Sequence, residues 1–529
     1  MIRLQYSIPV TKNDNIEEIL QRKFLAKDVK NIKIVKKSID ARKKEDIKFT
    51  YTIDFECSNE DILIAKKSAI KIEERIAENL NDYLSKFKVD KKYDCVVVGS
   101  GPAGLFCALT LAKMNQKVLI IERGKDVLNR QKDVDRFNST LKLNTESNIL
   151  FGEGGAGTFS DGKLNTNLHN ELVRVVLGEF YNHGADKSVL YDYKPHVGTD
   201  VLTNVLKNIR KEITSLGGEY QFETKLTDLV IESNKIVKIQ TNKGDIITNN
   251  LFLAIGHSAR DTYQMLFNKG LKMEPKIFSI GVRIEHLRDN IDFAQYGKFS
   301  SILKGSAYKL SVDTKENKKL YTFCMCPGGY VVNATNEENM INVNGMSYSD
   351  RNNINSNSAL LVNVEPNELN SSHPLAGIEF QRKYENLAYK ISNSYLAPVQ
   401  RFDDFLNNKV TSKIGDITPS IMSGYCLANL NECLPLNVCN ALKDGINKMG
   451  NKISKFNHPD SILTGVEMRS TSPVRICRDE KYQSSIEGIY PIGEGAGFAG
   501  GIVSSAIDGI KCALTFLGLE TKQKNRYDG

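Results

Sequence analysis

The sequence predicts an α/β fold in which a three-layer, mostly parallel sheet is interrupted by an inserted α+β domain and preceded by a small α/β domain. Three observations predict this fold. An apolar strand near residue 95 runs through a glycine-rich turn into a helix and a second strand. A short strand, a glycine cluster and a helix follow residue 489. Residues 277–475 alternate strand-like and helical runs without another such unit, as an insertion between two parts of one sheet would.

Composition excludes several classes of protein. The 529 residues correspond to about two to four domains. With 41% hydrophobic and 25% charged residues, the chain is not mainly disordered, collagen-like or coiled coil. Its ten cysteines show no Cys-x-x-Cys and no zinc-like spacing, so we expect neither a disulfide framework nor a metal site. Without an apolar run of about 18 residues or a secretory leader, the sequence predicts a cytoplasmic protein with no membrane span.

The first predicted domain covers residues 1–88 and has the order β-α-β-β-α, which suggests a ferredoxin-like sandwich. Its predicted elements are Ile2–Val10, Ile16–Phe24, Ile32–Lys37, Phe49–Phe55 and a long amphipathic helix, Glu60–Leu84. Most of the net charge of +8 lies before residue 93. The basic stretch Lys27–Lys48 lacks aromatic residues that would stack on bases, so a solvated face is favoured and nucleic-acid binding through residues 1–88 remains the alternative.

The second domain begins with a Rossmann-like β-α-β unit. Tyr93–Val98 is a buried strand, a glycine turn leads into the helix Gly104–Met114, and a second strand covers Lys117–Glu122. Such a turn brings a pyrophosphate to a helix N-terminus, and an acid at the end of the second strand accepts the ribose hydroxyls. The candidate dinucleotide-binding residues here are Gly99, Ser100, Gly101, Pro102, Ala103, Gly104, Glu122 and Arg123.

A second glycine-rich stretch, Gly152–Gly157, has the same spacing but lacks a β-α-β context. It predicts either a long backbone-rich loop or a loop that lies against the pyrophosphate or ring of a cofactor. On the second interpretation its candidate residues are Gly154, Gly155, Ala156, Gly157 and Thr158.

The C-terminal stretch Gly488–Gly497 reads as a short strand that ends in Gly-acid and precedes a helix N-terminus. The acid would bind a ribityl hydroxyl, and the helix start would stabilise negative charge at the flavin N1 edge. The strand-plus-glycine segment Leu251–Gly256 adds a third element. This order favours FAD over NAD. The candidate residues of these later segments are Leu226, Gly256, Gly493, Glu494, Gly501 and Ile502.

The remaining elements give the domain organisation. The predicted domains are 1–88 (accessory domain), 89–276 (first part of the cofactor domain), 277–475 (inserted substrate domain) and 476–529 (C-terminal part of the cofactor domain). Further helices are predicted at Val127–Phe137, Glu171–Asn182, Thr199–Ser215, Ala376–Ser394, Leu434–Met449 and Ile502–Leu517, and further strands at Glu219–Phe222, Leu226–Ser233, Ile236–Thr241, Leu251–Ile255, Phe278–Ile284, Lys318–Met325, Tyr330–Ala334 and Leu360–Val364.

These motifs resemble the glutathione-reductase-type flavoproteins. More narrowly, the chain resembles the largely uncharacterised bacterial and plastid FAD-dependent dehydrogenase family over nearly all its length. The most specific stretches are Phe151–Leu164, Lys194–Asp200, Gly256–Thr262, Phe323–Gly329 and Ile489–Ser505. The resemblance implies bound FAD, an N-terminal accessory domain and an inserted substrate-side domain, and it supplies no substrate. Glu494 stands where many relatives in the wider class carry Asp.

The chain departs from the disulfide reductases, because it has neither a convincing second nucleotide fold nor a Cys-x-x-x-x-Cys after the first helix. NAD(P)H, if it is the electron donor, would dock transiently over the flavin. Cys326 ends a predicted strand at a Pro-Gly-Gly turn and is the candidate catalytic residue, with plain packing as the alternative. Arg469, Arg475 and Arg478 are candidates for an anionic substrate or NAD(P)H phosphates, with structural ion pairs as the alternative.

The sequence thus predicts an oxidoreductase with non-covalent FAD that passes a hydride through flavin N5 to or from an unidentified small molecule in the interdomain cleft. Two alternatives remain: a flavin-containing protein that binds or modifies RNA through its N-terminal domain, and a flavoprotein without catalytic role. Because every cofactor motif lies beyond Tyr93, residues 1–88 are predicted to be dispensable for FAD binding.

Overall fold

The computed structural model describes residues 1–12, 15–72, 77–89 and 91–519. Within these ranges each predicted domain contains a sheet: a four-stranded one near the N-terminus, a five-stranded parallel one, and a seven-stranded mixed one in residues 277–475, here called the cap. No helix of the described residues is long and apolar enough to cross a membrane.

The N-terminal sheet has the strand order β2-β3-β1-β4 with antiparallel neighbours, which is the ferredoxin-like order expected from the sequence. Alternate residues of β1 are buried, because successive side chains of a strand point to opposite faces. The elements are β1 (Ile2–Pro9), α1 (Ile16–Phe24), β2 (Lys30–Asp40), β3 (Lys48–Glu56), α2 (Glu60–Ala65), β4 (Ile70–Lys71) and α3 (Leu80–Leu84).

The single long helix predicted over Glu60–Leu84 is wrong. The helix α2 stops at Ala65, and Lys67 takes a positive φ of 56° that a continuing helix does not allow. Ile70 then pairs with Arg3 at the edge of the N-terminal sheet. Residues 73–76 of the predicted helix lie outside the described residues.

The two helices that replace it pack in different cores. Leu63 of α2 is buried in the N-terminal core, whereas Leu80, Tyr83 and Leu84 of α3 are buried in the core of the parallel-sheet domain. The α3 backbone is also tied there, since Leu80 N donates to Glu179 Oε1 at 2.7 Å. A boundary before α3 fits this packing better than the predicted boundary after residue 88.

The parallel-sheet domain is built from α3 and from the elements that precede and follow the cap. Asp126 and Asn170 cap α5 and α6, because their side-chain oxygens accept from free amides of the first turns. Its first elements are β5 (Asp94–Val98), α4 (Pro102–Lys113), β6 (Lys117–Ile121), α5 (Val127–Thr140), α6 (Glu171–Asn182), α7 (Thr199–Ser215), β7 (Glu219–Gln221), β8 (Leu226–Glu232), β9 (Lys235–Thr241), β10 (Gly244–Ile247), β11 (Leu251–Leu253), α8 (Arg260–Asn268) and β12 (Met273–Pro275).

The cap contains a mixed sheet in the order β14-β15-β18-β13-β21-β19-β20, with helices packed on it, and a separate two-stranded sheet of β16 and β17. Its middle strands β13 and β18 are buried along almost their whole length. The elements are β13 (Phe278–Leu287), α9 (Arg288–Tyr296), β14 (Ser311–Asp313), β15 (Lys319–Cys326), β16 (Tyr330–Asn333), β17 (Val343–Met346), β18 (Asn355–Val364), α10 (Ala376–Ser392), β19 (Ala397–Arg401), α11 (Phe402–Leu406), β20 (Tyr425–Leu427), α12 (Leu436–Gly450) and β21 (Ile462–Glu467).

The chain then returns to the parallel sheet through β22 (Val474–Ile476), β23 (Ile489–Pro491) and α13 (Ile502–Phe516). β22 pairs antiparallel with β12, so the segments that enter and leave the cap run side by side. β23 adds to β11 and completes the all-parallel order β23-β11-β5-β6-β7. This is the Rossmann-like sheet with an inserted domain that the sequence predicts, while the boundaries at 276 and 475 stay predictions.

Candidate functional site

A cleft of about 1120 Å³ opens at the carboxyl ends of the parallel strands, between the parallel-sheet domain and the cap. This edge is where open α/β sheets place their ligands. The turns after β5, β6, β11 and β23 all contribute to its lining, and the strand end of β15 faces them from the cap. Residues of β2 and β3 in the N-terminal domain, among them Lys37 and Phe49, also line it.

The turn after β5 brings a helix N-terminus to the cleft. The helical hydrogen bonds of α4 begin at Leu105, whose amide donates to Gly101 O at 2.8 Å, so the amides of Ala103 and Gly104 lack a helical carbonyl partner. Gly104 has to be glycine, because a Cβ there would lie 2.0 Å from Gly99 O. At Gly101 a Cβ would meet nothing closer than Gly155 Cα at 3.8 Å, which leaves an open cradle beside the free amides.

Glu122 follows β6, but its carboxylate accepts hydrogen bonds from neighbouring loops of the protein, which the sequence did not suggest. Its Oε2 accepts from the amide and hydroxyl of Ser100, both at 2.9 Å. Its Oε1 accepts from the amides of Gly124 and Gly152, both at 3.0 Å. The carboxylate therefore ties three loops together, and of its four donors only the Ser100 hydroxyl can rotate away to admit a ribose hydroxyl.

The glycine stretch Gly152–Gly157 packs directly on the turn after β5. Gly154 N donates to Ser100 O at 2.9 Å, and a Cβ on Gly155 would lie 3.1 Å from Gly101 Cα. Of the two interpretations of this stretch, the structure therefore favours a loop that walls the cleft, since Gly155, Ala156 and Gly157 all line it.

Arg130 holds this loop in place and was not recognised from the sequence. Its fully buried guanidinium donates to three carbonyls, Asn148 O at 2.7 Å, Ile149 O at 2.8 Å and Glu153 O at 2.7 Å. A fourth bond, of 3.2 Å, reaches Thr158 Oγ1. Burial lowers the pKa of Arg130 to about 10, so the side chain remains charged at neutral pH. No sequence signal marks it, because a cationic residue on an amphipathic helix normally faces solvent.

A second helix N-terminus approaches the cleft from the C-terminal segment. In α13 the first helical bond runs from Ser505 N to Gly501 O at 2.9 Å, and Val503 and Ser504, which precede it, line the cleft. Glu494 lies at the same edge, and none of the described residues forms a hydrogen bond with its carboxyl group. Burial raises the pKa of this carboxyl to about 8, so it is largely protonated at neutral pH.

The predicted cofactor residues divide into two groups. Those that line the cleft are Gly99, Gly101, Pro102, Ala103, Glu122, Arg123, Gly155, Ala156, Gly157, Leu226, Gly256, Glu494, Gly501 and Ile502. Ser100, Gly104, Gly154, Thr158 and Gly493 lie directly behind this lining, where they support the turns. Two helix N-termini, an open glycine cradle and an unpartnered carboxyl group on one long cleft fit a flavin dinucleotide.

On the cap side the structure distinguishes the two cysteines of β15. Cys324 lines the cleft, whereas Cys326 is fully buried and its thiol donates to Cys324 O at 3.3 Å. A bulge between Phe323 and Cys326 and a positive φ of 41° at Cys324 break the strand's alternation, so the two thiols differ in exposure. A hydrogen bond with the Cys326 thiol, helped by the nearby Lys163 and Arg283 cations, holds the pKa of Cys324 well below its usual range.

Behind these cysteines lies a buried ion pair that the sequence did not reveal. Arg283 Nε donates to Glu467 Oε2 at 2.6 Å, and Nη1 donates to Cys324 O at 2.9 Å. Two amide oxygens, Asn344 Oδ1 at 2.8 Å and Asn357 Oδ1 at 2.9 Å, accept the remaining bonds. This network fixes the bulged end of β15 against β21 and β18.

Of the three arginines proposed as anion ligands, Arg469 and Arg478 form ion pairs within the protein, whereas the Arg475 guanidinium lies over the Phe498 ring. Arg469 pairs with Glu385 of α10 at 2.6 Å, and Arg260 of α8 pairs with the same carboxylate at 2.8 Å. Arg478 pairs with Asp508 at 2.7 Å. Arg469 still lines the cleft, but for it and Arg478 the structure supports the alternative of structural ion pairs. The Arg260–Glu385–Arg469 cluster is buried and joins the cap to the parallel-sheet domain.

Comparison with protein families assigns a different model to each part of the chain. Residues 277–470 match the model described as the C-terminal domain-like part of FAD-dependent proteins. Residues 93–278 match the pyridine nucleotide-disulphide oxidoreductase model. Residues 1–56 match a domain of unknown function.

A relative matches almost the entire chain. An uncharacterised protein of Clostridium beijerinckii is 44% identical over 521 residues, which cover 96% of this chain and 97% of that protein. Among solved structures, E. coli quinol fumarate reductase aligns with 82% of this chain and 72% of its own at 11% identity and a TM-score of 0.37. L-proline dehydrogenase from P. horikoshii aligns with 82% and 95% at 12% identity and a TM-score of 0.32.

Proposed function

Because the chain and its Clostridium beijerinckii relative belong to the same family of FAD-dependent proteins, we propose that it is an oxidoreductase that binds FAD non-covalently and exchanges a hydride with a small molecule in the cleft. The observation that carries the proposal is the convergence on one cleft of the N-termini of α4 and α13, with a cap strand end facing them. A ligand that contains a single nucleotide would not require both helix N-termini.

The residues of the parallel-sheet domain would divide the binding work. The free amides at the start of α4 would hold the diphosphate, and Gly101 leaves the space for it. Glu122 would receive a ribose hydroxyl when the Ser100 hydroxyl turns away. The protonated Glu494 can donate to a ribityl oxygen, and the start of α13 would favour negative charge at the ring edge. Bound FAD supplies hydride transfer at its N5 atom.

The cap would supply the substrate side. The bulged end of β15 faces the cleft and is fixed by Arg283, so it would form a wall on the substrate side of a bound ring. The catalytic role predicted for Cys326 stays a prediction. In this geometry its thiol would act through Cys324, which is the one exposed to the cleft. NAD(P)H remains a proposed transient donor, and it would enter over the same face.

The experiment is identification of the released ligand followed by anaerobic reduction. Acid precipitation of the purified protein should leave FAD in the supernatant, as judged by mass spectrometry, and NADH or NADPH should bleach the flavin absorbance band. FMN, NAD or no ligand, even after reconstitution with FAD, would contradict the assignment.

The glycine cradle offers a graded control. Gly101 has an ordinary φ of −70°, and an added Cβ would meet no atom closer than 3.8 Å, so Gly101→Ala should fold normally. The new methyl group would occupy the space beside the helix amides. We expect FAD retention to decrease from wild type to Gly101→Ala to Gly101→Val, with little change in the unfolding temperature of the apoprotein. Equal retention in all three would contradict the placement of the diphosphate.

A further inference from the structure

A cationic cluster lines the cleft away from the glycine turns, where two loops of the parallel-sheet domain meet a loop of the cap. Lys163 and His196 are opposite each other in an isolated antiparallel bridge, with Lys194 two residues before His196. Arg351 approaches from the cap, and its Nη2 donates to Asp161 Oδ2 at 2.6 Å. All five residues line the same part of the cleft.

The cluster contains more positive charge than the protein itself neutralises. Asp161 is the carboxylate that pairs with both Lys163, at 3.2 Å, and Arg351, and it also accepts from the Ser347 hydroxyl. Lys194 has no hydrogen bond or ion pair with any described residue. Partial burial, together with repulsion from Arg351 and Lys163, lowers the pKa of Lys194. One acid therefore faces three cations.

Two donor atoms of the cluster are buried without a well-aligned hydrogen bond to any described residue, namely Lys163 Nζ, which is ion-paired with Asp161, and Arg351 Nε. Buried polar groups are almost always satisfied, and a charged group left without a partner is costly. Lys163 and Arg351 share the single carboxylate of Asp161, and each still has a buried N–H without an aligned acceptor at the wall of the cleft, which indicates a further acceptor. The acceptor that matches both donors is an oxyanion, since Arg and Lys pair best with carboxylate and phosphate.

We propose that Lys163, Lys194 and Arg351 form the anion subsite of the substrate, and that the substrate is a small organic molecule carrying a carboxylate or phosphate group. The inference rests on the proposed function, because it assigns the substrate class of the same cleft. Lys163 is also an electrostatic neighbour of the thiols of Cys324 and Cys326, so an anion held here brings its attached carbon chain to the bulged end of β15.

The test measures anion binding separately from flavin binding. FAD-loaded protein is titrated at constant ionic strength with succinate, with inorganic phosphate and with neutral succinamide, and binding is followed by calorimetry and by the flavin difference spectrum. We expect one of the two anions to bind saturably and succinamide not to bind. Succinate alone would assign a carboxylate substrate, and phosphate alone a phosphorylated one.

Variants then locate the site. Lys194→Met and Lys163→Met should each weaken anion binding at least tenfold, because each loses a charge-assisted hydrogen bond. Lys194→Arg should restore most of the affinity. Lys413→Met, at an exposed lysine outside the cleft, should bind as wild type does. Lys194 has no partner among the described residues, so its variant should fold even if Lys163→Met does not.

Two results would overturn the subsite: no saturable binding of either anion to the loaded wild type, or binding that Lys194→Met and Lys163→Met leave unchanged. Flavin content is measured on every sample. A chain that binds the anion through these lysines but never binds FAD would refute the proposed function and support the anion subsite. A chain that is loaded with FAD but binds neither anion would support FAD binding and refute the subsite.

Discussion

Replacing Arg130 by Met tests how the cleft is built. Methionine keeps most of the apolar volume but removes the guanidinium, which leaves the carbonyls of Asn148 and Ile149 buried without donors and Glu153 O with the Thr158 hydroxyl alone. Each lost bond from a charged group is worth about 1.5–3 kcal/mol, so the two carbonyls left without donors cost roughly 3–6 kcal/mol in all. Because the three carbonyls lie on one loop that can shift as a unit, we expect the lower total.

A loss of that size is measurable in this protein. For a unit of about 150–250 residues, 1 kcal/mol shifts the unfolding midpoint by roughly 2–4 °C, so the parallel-sheet domain should unfold roughly 10 °C earlier. The released loop packs on the glycine turn through the bond from Gly154 to Ser100, and its displacement should also weaken flavin retention. Flavin fluorescence during a thermal ramp reports both effects, since the emission rises when the ligand leaves.

The matched control is Arg136→Met on the same helix. Arg136 is about half exposed and contacts Asp133 at 3.1 Å, so its loss should cost about 0–1 kcal/mol. Arg130→Lys, which keeps the charge but cannot reach all the acceptors, should fall between the two. The reasoning would be refuted if Arg130→Met releases flavin at the same temperature as Arg136→Met.

Three further predictions follow from the geometry. Burial raises the pKa of Glu494 to about 8 from about 4.3 in the unfolded chain, so the apoprotein should lose stability as the pH rises between these two values. Glu494→Gln should remove this part of the pH dependence of the unfolding free energy. Wild-type and variant stability curves that run parallel between pH 5.5 and 8.5 would contradict the prediction. Iodoacetamide should label Cys324 at least tenfold faster than the fully buried Cys326, measured by peptide mass spectrometry, whereas faster labelling of Cys326 would support its own reactivity. A chain that begins at Lys91 should release flavin at a lower temperature than one that begins at Ala77. The shorter chain lacks three buried side chains of α3, whose burial is worth about 1.5–3 kcal/mol each. Equal flavin-release temperatures would support the predicted boundary after residue 88.

The sequence predicted those parts of the fold in which local pattern and burial agree. The helices α1, α6 and α7 begin and end where their apolar spacing does, and the glycine turn was placed correctly because strand, turn and helix follow each other within a few residues. The strand β21 was missed, since a short strand buried on both faces shows no alternation. The prediction of one helix over Glu60–Leu84 failed because the regularly spaced apolar residues of this stretch pack into two separate cores.

The site was predicted only where one segment carries it. Glu122 and the glycines were recognised because the turn and the acid have a fixed spacing, although the carboxylate first binds the backbone of neighbouring loops. The cluster around Lys163 could not be found, because a bridge to His196 and an arginine more than 150 residues away create it. Cys326 was preferred over Cys324 because it directly precedes the Pro-Gly-Gly turn. A regular strand would turn both thiols to one face, and the bulge that separates them leaves no mark in the sequence.

The late position of β23 and α13 affects how the chain is made. On the ribosome, β5 and β11 emerge long before the strand that completes their sheet, because about 240 residues of chain, including the whole cap, separate β11 from β23. At typical elongation rates of about 5–20 residues per second this delay is roughly 10–50 s. During that time the face of α4 that α13 will cover stays open, and Gly509, where a Cβ would lie 2.1 Å from Ala103 O, has not yet been synthesised. If FAD binds as proposed, it would be captured only after nearly all of these residues have been translated, and a premature stop before β23 would leave the cap attached to an unfinished sheet.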